Sequence, residues 1–148
     1  WDPAMAQKVA IHAPCSVLVA RDLDVGYGHL ICTDGSDKAM EMVRRDGEMA
    51  SHCDYPVSLI SVALDVEAED EAKANVDKAK KVLADMGIEV KETIVKVGNP
   101  VNEIIEAGPD YSLIVVAESR KTGLRRFFME SIAYKVMGNA HNSVMIVR

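Results

Sequence analysis

The sequence predicts an α/β fold: a doubly wound, five-stranded, mostly parallel sheet with helices on both faces and an extra helix-strand segment at the N-terminus. Three observations predict it. From His29 onward, five short apolar runs alternate with four segments of helical spacing. One run, "SLIVVA" (112–117), is almost wholly apolar, as in a strand buried on both faces. The 148-residue length suits one domain and can bury a core without disulfides or metals.

Each element has a local reason. "HLICTD" (29–34) is an apolar strand running into a "DGS" turn, and Ser36 is placed to cap the helix that follows. Ala39, Val43, Gly47 and Ala50 share one face of that helix. "VSLISV" (57–62) is the next strand. Residues 69–86 form a helix with Ala72, Val76, Ala79, Leu83 and Met86 on one stripe, and Gly87 stops it. "EVKETIVKV" (89–97) is a strand whose charges suit a sheet edge. "GNPVNEIIEAG" (98–108) starts a short helix with Pro100 in its first turn. After "SLIVVA" come a helix over 124–138 and a last strand, "SVMIV" (143–147). Ligands of such sheets sit at the carboxyl ends of strands, where Asp34 and Ala117 stand.

Composition excludes several classes. Net charge is −6, unsuited to general nucleic-acid binding, which needs basic surface. Three cysteines (Cys15, Cys32, Cys53) fit no metal motif and read as reduced thiols of a cytoplasmic protein. His12, His29, His52 and His141 show no ligand spacing, so no metal is expected. No run has the length of a membrane span, and no signal-peptide pattern opens the chain. The chain begins at Trp1 and not at Met, which suits a piece of a longer protein.

The first 21 residues stand outside the alternation but match the end of the chain. "AQKVAIHAPCSVLVAR" (6–21) aligns with "AYKVMGNAHNSVMIVR" (133–148) at a constant offset of 127, with seven identities in 16 positions. The segment 1–21 therefore reads as the last helix and strand of an upstream copy, 22–28 as a linker, and 29–148 as a complete domain. A lone strand at 16–20 needs a partner for its backbone groups. The expected partner is the equivalent strand, 143–147, in the same chain or a neighbour.

Four stretches, "LICTDGSDKA" (30–39), "VGNPVNEII" (97–105), "LIVVAESRKTGLRRFFMESIAYKV" (113–136) and "SVMIVR" (143–148), together resemble the universal stress protein family. The resemblance implies strand order 3-2-1-4-5, pairing of fifth strands in a homodimer or between tandem copies, and ATP binding in some members only. ATP-binding members carry G-x-x-G-x9-G-[S/T] after the fourth strand. Glycines there let backbone N–H groups approach the phosphates. Here Glu118 holds the first glycine position, Lys121 lies near the second in a loop one residue shorter, and Glu130 holds the third, followed by Ser131. Gly123 lies outside the pattern. A carboxylate ~4 Å from a phosphate costs about 1–4 kcal/mol.

These residues set the functional expectations. If a nucleoside site is retained, its residues are Asp34, Val62, Gly98, Ala117 and Ser131, with ATP or AMP as ligand. Asp34 reads equally as a turn residue, and Ser131 as an ordinary helical serine. Arg120, Lys121, Arg125 and Arg126 form an anion or partner site, a solvated face, or pairs with Glu118 and Glu130 that fill the pocket. No nucleophile with a spaced acid-base partner is seen. The leading expectation is a non-enzymatic stress-response domain without cofactor, acting through assembly. The alternative is an adenosine, AMP or ATP sensor.

Overall fold

The structure, a computed structural model, describes residues 3–21, 27–117 and 124–148, with backbone alone for Pro3 and 124–131. In order these form α1 (Pro3–His12), β1 (Val17–Val19), β2 (His29–Cys32), α2 (Asp37–His52), β3 (Val57–Ala63), α3 (Glu69–Asp85), β4 (Val90–Val97), α4 (Pro100–Ala107), β5 (Leu113–Ala117), α5 (Leu124–Asn139) and β6 (Ser143–Val147). Among the described residues no helix is long and apolar enough to cross a membrane.

Helix starts follow the side-chain chemistry. The Ser36 hydroxyl accepts from Ala39 N–H and caps α2. Asp65 caps a short 3-10 turn that leads into α3, whose first turn holds Glu69, Asp70 and Glu71 against the positive end of the helix dipole. Asn99 accepts from the N–H groups of Val101 and Asn102, and Pro100 opens α4. The stripe of α3 is buried at Ala72, Val76, Ala79 and Leu83. Met86, expected on that stripe, lies past the helix end and is 39% exposed. Gly87 at φ +77° lets the chain turn away there.

The described strands form one sheet in the order β1-β6-β5-β2-β3-β4. The five strands expected from the sequence are joined by a sixth, β1, so the sheet is mixed and not wholly parallel. β2 to β6 run parallel, and β1 is antiparallel to β6. β5 is fully buried, whereas β4 is an edge strand with exposed Lys91, Glu92 and Lys96. α1, α4 and α5 pack on one face over Leu30, Ile60 and Ile114. α2 and α3 pack on the other over Ile31, Leu59 and Val115. On that second side His29 and Asp46, both buried, bond through Nδ1 and the carboxylate at 3.0 Å, and the imidazole lies 5.6 Å from the Tyr55 ring.

Residues 3–21 pack on the equivalent residues at the other end of the chain. Val17 pairs with Ile146, Leu18 with Met145, and Val19 with Val144. Adding the offset of 127 to one member of each pair returns the same set of pairs in reverse. The two helix-strand units are thus related by a local two-fold through Leu18 and Met145. The side chains obey it: Arg21 N–H donates to Ser143 Oγ at 2.9 Å, and Arg148 N–H donates to Ser16 Oγ at 3.0 Å.

Candidate functional site

β2 ends at Cys32, and the chain passes through Thr33, Asp34, Gly35 and Ser36 into α2. Short polar side chains fold this turn onto itself. Thr33 Oγ1 accepts from Gly35 N–H at 3.1 Å. Asp34 Oδ1 accepts from Ser36 N–H at 3.0 Å and from the Ser36 hydroxyl at 2.5 Å. Gly35 has φ +73°, a conformation that glycine adopts without strain. α3 fastens the turn from outside: Lys78 Nζ donates to Gly35 C=O at 3.0 Å. The Asn75 side-chain oxygen fills the space a Gly35 Cβ would need.

Beside the turn lies a cavity of about 620 Å³ at the carboxyl ends of β2, β3 and β5. From β2 the chain enters α2 on one face, and from β5 it continues to α5 on the other, so the strands diverge at this point. Cys32, Ile60, Val116 and Ala117 form the apolar part of the wall, with Pro100, Ile104 and Ile132 at its α4–α5 side. Asp34, Asp65, Glu71 and Asn75 give it a polar border. An apolar cleft with a few converging polar groups is the usual form of a small-molecule site. All charged side chains among the described wall residues are carboxylates. Burial pushes the Cys32 thiol pKa well up, so the thiol stays protonated.

Of the expected site residues, the fold brings Asp34, Val62 and Ala117 together on this wall. Gly98 is not on it. Its N–H bonds Ala63 C=O at 2.8 Å and its φ of +152° shapes the turn from β4 into α4. The side chain of Ser131 lies outside the described residues, as do Glu118, Lys121, Glu130 and the cluster Arg120, Lys121, Arg125 and Arg126. Ser61 and Asn75 line the cavity without having been expected. A serine amid the apolar run "VSLISV" was the available signal for the first; Asn75 has none, since it sits among the polar residues of α3. No group of three or more potential metal ligands occurs among the described residues.

A doubly wound sheet with a cleft at its point of divergence defines an α/β domain whose candidate site lies in that cleft. The model of the universal stress protein family matches residues 27–148, and the chain belongs to that family. The universal stress protein MJ0531 of Methanocaldococcus jannaschii is 29% identical over 137 residues, covering 80% of each chain. A structure of the universal stress protein from Archaeoglobus fulgidus in complex with dAMP superposes with a TM-score of 0.67 at 22% identity, covering 82% of this chain and 97% of that one. A second universal stress protein structure from Archaeoglobus fulgidus has a TM-score of 0.72 at 16% identity. That match covers 97% of this chain but 53% of the other.

Proposed function

We propose that the chain is a non-enzymatic sensor domain that holds an adenine nucleoside or its monophosphate in the cavity beside Asp34. The cavity itself carries this reading: about 620 Å³ of apolar cleft, bordered by Asp34, at the divergence of the strands. The dAMP complex of a structural relative supports the ligand class. A triphosphate fits poorly, because Glu118 and Glu130 replace the first and third cradle glycines and the described wall adds only carboxylates.

Calorimetric titration with adenosine, AMP and ATP tests this. Adenosine and AMP should bind and ATP should bind least. Micromolar ATP binding as tight as AMP binding would overturn the phosphate argument. Glu118→Gly with Glu130→Gly should then restore part of the ATP affinity.

A second reading, assembly, is favoured by the β1–β6 ladder. Here α1 and β1 stand where the last helix and strand of another copy would pair, as between tandem domains. The structural relative that this chain half covers fits that arrangement. Deleting residues 1–28 should bare β6 and drive pairing of two truncated chains, read by light scattering. A truncated chain that folds and stays monomeric would sink this reading.

A further inference from the structure

The polar groups on the cavity wall fall into two sets. Thr33, Asp34 and Asp65 are engaged: they hold the N–H groups of Gly35, Ser36 and Ala68. Ser61 and Asn75 make no side-chain hydrogen bond among the described residues. Ser61 is 3% exposed. A hydroxyl taken from water without a partner carries an unrecovered desolvation cost, so such a group in a cavity is waiting for a ligand or a water.

The register fixes where Ser61 faces. It alternates in phase with Val57 and Leu59, which lie in the cluster covered by α2 and α3. Asn75 belongs to α3. The two free polar side chains therefore border the α3 side of the cavity, beside the Asp34–Ser36 turn. Hydroxyl and amide each donate and accept. Asp34 and Glu71 stand on the same wall, and no Lys, Arg or His stands there among the described residues. This chemistry suits an uncharged group that both donates and accepts, such as a base edge or a sugar hydroxyl, and repels phosphate.

We infer that Ser61 and Asn75 are the specificity residues of this site, hydrogen-bonding the uncharged part of the ligand on the α3 side of the cavity. The inference rests on the nucleoside reading above and assigns its recognition to two side chains. It also gives the Asn75 side chain two places at once, beside Gly35 and on the cavity wall.

The test titrates adenosine and AMP into the full chain as wild type, Ser61→Ala and Asn75→Ala, with melting temperature measured in the absence of nucleoside. Ser61→Ala should weaken adenosine and AMP equally, by roughly three- to tenfold. Its melting temperature should hold or rise, because an unpaired buried hydroxyl has gone. Asn75→Ala should weaken both ligands to a similar degree. Unchanged affinity in both variants, with wild-type binding intact, overturns the inference and leaves the nucleoside reading standing. Weakening confined to AMP assigns these residues to the phosphate and overturns it too, as does a Ser61→Ala variant whose affinity and melting temperature fall together. A wild-type chain that binds neither ligand removes the reading and the inference at once.

Discussion

Arg21 and Arg148, 127 residues apart, make the same bonds across the β1–β6 ladder. Each backbone N–H meets a serine hydroxyl of the opposite unit, Ser143 or Ser16. Each guanidinium reaches main-chain carbonyls there: Asn142 and Met137 for Arg21, Cys15 and Ala10 for Arg148. Charged donors on carbonyls contribute about 1.5–3 kcal/mol. Arg21→Ala should therefore destabilise the chain by about 2 kcal/mol in chemical denaturation. Hydrogen exchange should show α1 and β1 losing protection first.

The pair His29–Asp46 should matter more than a surface ion pair, because both side chains are buried. Asp46→Ala strands the imidazole N–H. A stability loss of about 1–3 kcal/mol is expected, measured by urea unfolding. For contrast, Lys73→Ala, which removes an exposed pair with Glu69, should shift the midpoint by little.

Gly35 accepts a side chain only with strain. Its φ is +73°, and a Cβ would overlap the Asn75 oxygen. Gly35→Ala should cost about 1–3 kcal/mol and, by displacing the turn, abolish nucleoside binding in calorimetry. Gly87→Ala shares the positive φ but meets open space, so it should cost less and leave binding intact.

Tyr111 gives the fold an alkaline limit. Burial, helped by its 2.7 Å bond to Glu92 Oε2, pushes its pKa from the ordinary phenol value of 10.0 up to about 12. The folded chain holds this proton more tightly than the unfolded one. Its contribution is therefore complete below pH ~10 and is lost as pH rises toward ~12. Tyr111→Phe should flatten that decline in stability-versus-pH curves, and ultraviolet titration should report the raised pKa directly.

Most elements were legible because each carried its own local signal. The uniformly apolar Leu113–Ala117 had to be central, and the charged run at 90–97 had to be an edge. The repeat pointed to the pairing of β1 with β6, but not its direction. Strand direction depends on where α1 sits, a tertiary fact that no periodicity encodes. Asp34 was visible through its Asp-Gly turn. Gly98 lies off the cavity wall, in the turn from β4 into α4, and a glycine marks a backbone bend equally well at a site or beside one. Ser61 stood out only as a serine in an apolar run, a weak signal in a strand buried on both faces; its place on the cavity wall needed the packed structure.

The sheet's two borders are unlike. β4 carries Lys91, Glu92 and Lys96 outward, charges that discourage another strand from joining. β1 is three residues long, with Leu18 56% exposed. Among the described residues the two borders thus differ in chemistry: charge stands along β4, and an apolar side chain stands on β1. A strand approaching along β4 would have to bury those charges to reach the backbone groups, so accretion at that border is disfavoured.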